Sequence, residues 1–130
     1  MHDLFIYGTL MPGLRLAHEM QGAEALGPAQ VPGRLVDVGR YPGLVHGAGV
    51  VLGELYRVDE ARLIRLDQVE DMVPGNRAAS QYWREQVPVL QGALAGSRVW
   101  TYVYNLPTEG LTPIPHGDYR RYIRALGRAS

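Results

Sequence analysis

The chain has 130 residues, 46% of them hydrophobic and 20% charged, which is the composition of a globular protein and the length of one ordinary domain. Its formal net charge is zero, so nothing in the charge balance draws it toward nucleic acid or an anionic membrane. All 13 basic residues are Arg and there is no Cys, which excludes thiol nucleophiles, disulfides, Cys-type zinc and iron–sulfur sites, Schiff-base lysines and the P-loop lysine. The serines, Ser80, Ser97 and Ser130, lie in no Gly-x-Ser-x-Gly elbow. Chemistry must come from carboxylates, His, Tyr, Thr, Arg or the backbone. The first residues lack a basic n-region, and no stretch approaches the roughly 18 apolar residues of a membrane span, so a cytoplasmic location is expected.

In chain order, Leu4 to Tyr7 is a short apolar and aromatic run ended by Gly8, which predicts a buried strand and a tight turn. Leu14 to Met20 has room for one or two helical turns. Pro28 and Pro32 punctuate a predicted loop before a strand over Arg34 to Val38. Tyr41-Pro42-Gly43 turns the chain into Leu44 to His46, and Gly47-Ala48-Gly49 turns it again into a strand over Val50 to Val58. Gly53 within that strand predicts a bulge or a close backbone approach.

Asp59 to about Met72 carries the strongest helix signal, with Asp59 as N-cap, Glu60 at the positive end of the dipole and Val73-Pro74-Gly75-Asn76 as the stop. Tyr82 to Leu90 reads as a strand whose Pro88 favours an edge. Val99 to Tyr104 alternates as a strand does, with Trp100, Tyr102 and Tyr104 expected in the core. Asn105 to Pro115 is predicted loop, and His116 to Gly127 a final helix capped near Asp118. The expectation is one mixed α and β domain over residues 1–130, with no internal repeat and no linker.

On the helical wheel, Leu63, Ile64, Leu66 and Val69 define the apolar face, and Glu70 falls roughly 20° from its centre. Asp67 lies about 80° away and Asp71 further still, where solvent is expected. One acid is therefore aimed inward. Burial raises a carboxyl pKa toward the range that a general acid–base catalyst needs. A structural ion pair, for instance with Arg84, is the competing reading. The order strand, Gly8-Thr9, Pro12-Gly13 also presents backbone N–H groups free of bulky side chains, of the kind that bind carboxylates or phosphates. An ordinary turn is the alternative there.

Taken together, Leu4-Phe5-Ile6-Tyr7-Gly8-Thr9-Leu10, Leu66-Asp67-Gln68-Val69-Glu70, Tyr82-Trp83-Arg84 leading into Val87-Pro88-Val89, and Val99-Trp100-Thr101-Tyr102-Val103-Tyr104 resemble the gamma-glutamylcyclotransferase-like (AIG2-like) family. The resemblance runs from about Leu4 to about Tyr122. It implies an α+β fold, a small mixed β-barrel flanked by helices with a pocket at one mouth. It implies that the Tyr7-Gly8-Thr9-Leu10 backbone holds the amino-acid end of a γ-glutamyl group, and that Glu70 is the catalytic glutamate. The implied reaction cyclises a γ-glutamyl amide or peptide to 5-oxoproline and releases the amine, with no cofactor and no metal. One departure is Asp71, where many members carry Gly; a second acid there is expected to alter the turn or the pKa of Glu70. The alternative is a non-catalytic small-molecule-binding or regulatory protein on the same fold.

Tyr82 and Arg84 alternate on one strand face and are candidates to line the pocket. His116-Gly117-Asp118-Tyr119 reads as helix capping, and Arg120, Arg121, Arg124 and Arg128 as a solvated face rather than a nucleic-acid surface. His2, His18, His46 and His116 show no paired metal-ligand spacing. The expected partner is a small γ-glutamyl compound, with neither nucleic acid nor membrane. The pattern does not specify the amine attached to the glutamyl group or the oligomeric state.

Overall fold

The two longest strands set the shape, and both run through glycines and prolines that read as punctuation in the sequence. The computed structural model describes residues 1–128. It contains strands β1 (His2–Ile6), β2 (Glu24–Asp37), β3 (Pro42–Val58), β4 (Tyr82–Pro88), β5 (Gln91–Gly92), β6 (Arg98–Tyr104) and β7 (Thr112–Ile114), with helices α1 (Glu60–Val69) and α2 (Tyr119–Ala125). The sheet order is β4-β6-β1-β3-β2-β5, with β7 added alongside β2. Pro88 sits on the edge strand β4, where no further ladder needs its missing N–H.

The predicted loop around Pro28 and Pro32 is instead part of β2. It is tolerated because the side of β2 away from β3 meets only the two residues of β5 and the three of β7. Register irregularities between Ala25 and Gly27 and between Pro32 and Arg34 relieve the ladder beside each proline. Gly47-Ala48-Gly49 likewise lies inside β3 and does not divide it. Gly53 is the close approach that its sequence position suggested. A Cβ there would overlap the Ile6 carbonyl oxygen and stand 2.6 Å from the Phe5 ring.

Curvature follows from how β3 is shared. Its last residues pair with β1, from Glu54 opposite Ile6 to Val58 opposite His2. Its beginning pairs with β6, Leu44 opposite Val103, once β1 has ended. The mixed sheet curls into a half-barrel, and Leu4, Phe5, Leu35, Leu44, Val51, Leu55 and Val99 fill it at 0–1% exposure. Tyr7, the first residue past β1, occupies the junction. Its hydroxyl accepts from the Leu44 N–H at 3.1 Å and donates to the Tyr102 carbonyl at 2.6 Å, joining β3 to β6.

Helix α1 begins as expected: the Asp59 carboxylate accepts from the Arg62 N–H at 2.8 Å. It stops earlier than Met72, in a Schellman turn. Glu70 is the C-cap, Asp71 takes φ 53°, its N–H donates to the Gln68 carbonyl at 3.1 Å, and the Met72 N–H donates to the Asp67 carbonyl at 2.9 Å. Of the predicted apolar face, Leu63 and Leu66 are buried while Ile64 is 51% exposed. The second helix is shorter than predicted. A 3₁₀ turn over Pro115–Gly117 precedes it, and Asp118 caps it by accepting from the Arg121 N–H. Arg120 and Arg128 are not simply solvated: the first pairs with Glu54 at 3.0 Å, the second with Asp37 at 2.9 Å. No helix among the described residues is long and apolar enough to cross a membrane.

Candidate active site

At the end of β1 the chain leaves the sheet as Tyr7-Gly8-Thr9-Leu10, and all four residues are buried. The loop closes on itself, with the Met11 N–H donating to the Gly8 carbonyl at 3.0 Å and the Leu16 N–H to the Thr9 carbonyl at 2.9 Å. None of the N–H groups of Gly8, Thr9 and Leu10 meets a protein acceptor among the described residues. A buried N–H without a partner is costly, so such a row marks a place where water or a ligand supplies the acceptor. Glycine is required at position 8 for space: a Cβ there would stand 2.7 Å from the Pro42 ring.

This loop forms one wall of a cavity of about 350 Å³. The opposite wall is the C-terminal end of α1, with Val69, Glu70 and Asp71. Tyr82 and Tyr102 from β4 and β6 close the inner side. A 3₁₀ turn over Ala17–Met20 borders the mouth and is held to α1 by two arginines. Arg62 donates to the carbonyls of Glu19 and Gln21, each at 2.6 Å, and Arg65 forms a two-pronged pair with the Glu19 carboxylate at 3.0 and 3.2 Å. That pair holds the Glu19 carboxyl below its ordinary pKa.

Glu70 has neither an ion pair nor a side-chain hydrogen bond among the described residues. Burial, with the neighbouring Asp71 charge adding to it, pushes its carboxyl up to about 7. A carboxyl raised to that range has the pKa that general acid–base chemistry at neutral pH calls for. Asp67, one turn earlier, is the opposite case. The wheel placed it toward solvent, yet it is 7% exposed. Arg84 grips it at 3.0 and 3.1 Å, and the Tyr102 hydroxyl donates to it at 2.6 Å. The helix flank is buried because the curled sheet wraps it from β4 and β6.

Residues 4–121 match the sequence pattern of the family described as Gamma-glutamyl cyclotransferase, AIG2-like. The chain belongs to that family. The Escherichia coli (strain K12) protein named Gamma-glutamylcyclotransferase family protein YtfP is 34% identical over 117 residues, covering 89% of this chain and 94% of its own. The Niallia circulans protein named Gamma-L-glutamyl-butirosin B gamma-glutamyl cyclotransferase is 37% identical over 108 residues, covering 81% of this chain and 68% of its own. Among solved structures, an aig2-like protein from Mus musculus superimposes with a TM-score of 0.64 at 28% identity, covering 92% of this chain and 94% of its own.

Of the residues that the sequence singled out, Glu70, Tyr7, Gly8, Thr9, Leu10 and Tyr82 line one cavity. Arg84 does not line it; it is the ion-pair partner of Asp67 and stacks over Trp100 at 4.7 Å from the ring centre. Sequence reasoning missed Tyr102 as a wall of the cavity, because alternation along a strand tells core from solvent but not core from pocket. It also missed Arg65 and Glu19, which meet only when α1 docks on the 3₁₀ turn. Among the described residues no group of three or more His, Asp or Glu side chains gathers as metal ligands.

Proposed function

We propose that this chain is a gamma-glutamylcyclotransferase: it cyclises a γ-glutamyl amide or peptide to 5-oxoproline and releases the amine. The observation that carries this reading is the sharing of one cavity by the unpaired Glu70 and the acceptor-free N–H groups of Gly8 to Leu10. The N–H row suits the substrate α-carboxylate, and Glu70 suits the α-ammonium beside it.

The nucleophile and electrophile belong to one molecule. Glu70 takes a proton from the α-ammonium, and the freed amine attacks the γ-carbonyl carbon to form the ring C–N bond. The tetrahedral adduct then collapses. The cationic ring nitrogen gives up a second proton and the bond to the leaving nitrogen breaks; that nitrogen takes back the proton held by Glu70 and then the one the ring released, so the amine departs as an ammonium. Holding the bent conformer supplies much of the acceleration, since well-oriented intramolecular reactions reach effective molarities of about 10⁵ M and above. A carboxyl near pH 7 is suited to both transfers. No step uses a thiol or an amine side chain, in keeping with a chain without Cys or Lys.

A panel of γ-glutamyl compounds, carrying an amino acid, a cysteinyl peptide, a lysine ε-amine or a simple amine, tests the proposal by 5-oxoproline release. Release from at least one compound supports it. Binding of these compounds with release from none would identify a binding protein on the same fold.

A further inference from the structure

Tyr7, Tyr82 and Tyr102 line the same cavity as Glu70, and each hydroxyl has already spent its only proton. Tyr7 donates to the Tyr102 carbonyl at 2.6 Å, Tyr82 to the Pro42 carbonyl at 2.6 Å, and Tyr102 to the Asp67 carboxylate at 2.6 Å. Tyr7 also accepts from the Leu44 N–H, whereas Tyr82 and Tyr102 accept from no described residue. A phenol has one donor and two acceptor positions, so Tyr82 and Tyr102 can offer the cavity only lone pairs. Burial pushes all three phenols up, with the Asp67 hydrogen bond adding to it at Tyr102, so they stay protonated. Among the described residues no guanidinium forms an ion pair with Glu70.

Two walls of the cavity thus differ in polarity. The loop wall offers the N–H groups of Gly8 to Leu10, and the inner wall formed by Tyr82 and Tyr102 offers hydroxyl lone pairs. An acceptor-only wall repels a carboxylate and fits a cation rich in N–H groups.

We infer that the Tyr82 and Tyr102 hydroxyl oxygens, together with Glu70, form an ammonium subsite that receives the α-ammonium of the γ-glutamyl group, and that Asp67 and Arg84 are positioning residues that lock the Tyr102 hydroxyl in its accepting orientation. This rests on the cyclotransferase reading and deepens it. Three N–H bonds of the ammonium meet three oxygens. When Glu70 takes one proton, the lone pair left behind faces Glu70, so the amine turns about its Cα–N bond to reach the γ-carbonyl while the two tyrosine oxygens keep it within the subsite. Asp67 performs this role from a distance. Its carboxylate accepts the Tyr102 O–H, and Arg84 holds that carboxylate in place.

Calorimetry with γ-glutamyl-alanine and with glutaryl-alanine, which lacks only the α-amino group, tests the inference. A Glu70→Gln background prevents turnover during the titration. We expect γ-glutamyl-alanine to bind about tenfold tighter or better, the usual weight of hydrogen bonds to a charged group. Adding Tyr102→Phe should cost γ-glutamyl-alanine about tenfold and leave glutaryl-alanine within about twofold. Tyr82→Phe, which leaves the Asp67–Arg84 pair intact, should behave alike and serves if Tyr102→Phe misfolds. Equal losses for both compounds would show the tyrosines to be merely structural and overturn the inference. So would equal affinity of the two compounds in the background chain, even where the wild type releases 5-oxoproline. Failure of the wild type to bind or cyclise any γ-glutamyl compound would remove the functional reading itself.

Discussion

Asp67 and Glu70 lie one helical turn apart on α1 and face the same curled sheet, yet their surroundings differ in kind. Asp67 is held by two Arg84 nitrogens and the Tyr102 hydroxyl. Glu70, at the C-cap, has no such partner and opens onto a cavity. A buried carboxylate with a full set of donors maintains a structure; one left without donors has its pKa raised toward neutrality, where it can both take and return a proton. The contrast separates an acid held in an ion pair from the acid proposed to move the proton, and substitutions at the two positions should fail in different ways.

The largest expected effect is on turnover. Glu70→Gln preserves shape but cannot accept the ammonium proton, so kcat for 5-oxoproline release should fall by roughly 10²- to 10⁴-fold without a comparable rise in KM. Asp67→Asn should instead be read first in stability. It leaves Arg84 partly buried without its counter-charge, and chemical denaturation should show a loss of about 3 kcal/mol. An Asp67→Asn chain as stable as the wild type would erase the contrast.

The third effect has the opposite sign and depends on pH. The Glu70 carboxyl rises from 4.5 to about 7 on folding, so the folded state holds a proton that the unfolded state has released. Wild-type stability should therefore begin to fall as pH rises through 4.5 and level off above about 7. Glu70→Gln lacks that penalty and should be more stable by on the order of 2 kcal/mol in weakly alkaline buffer, with the advantage vanishing in acid. A Glu70→Gln chain less stable than the wild type at neutral pH would mark Glu70 as a structural partner. Gly8→Ala, whose new methyl meets the Pro42 ring at 2.7 Å, should cost about 1–2 kcal/mol and weaken substrate binding through displacement of the loop. Smallest of all, Asp71→Gly should gain up to about 1 kcal/mol by relieving a left-handed residue, and should lower the Glu70 pKa as seen by carboxyl NMR titration.

Much of this was legible in the sequence because it depends on local geometry. The inward angle of Glu70 is helical arithmetic, the Asp59 cap and the Gly8 turn are backbone chemistry, and the close approach at Gly53 follows from a missing side chain inside a strand. What could not be read depends on how far the sheet wraps. The wheel gave the correct angle for Asp67 but not the width of the buried arc, which β4 and β6 extend around the helix flank. Pro28 and Pro32 read as a loop because nothing local reveals that the outer side of β2 is nearly bare. Asp71 shows both limits. Its departure from glycine was visible, but only the Schellman turn at φ 53° explains why glycine suits that place.

The central claim, that Glu70 is the group whose proton moves, is tested most directly by the pH dependence of kcat/KM for 5-oxoproline release. That profile reports the ionisations of the free enzyme, and a base must be ionised to act. It should rise with pH through a midpoint at about 7. A profile already flat across that range, with its acid limb near the ordinary carboxyl value of 4.5, would contradict the assignment.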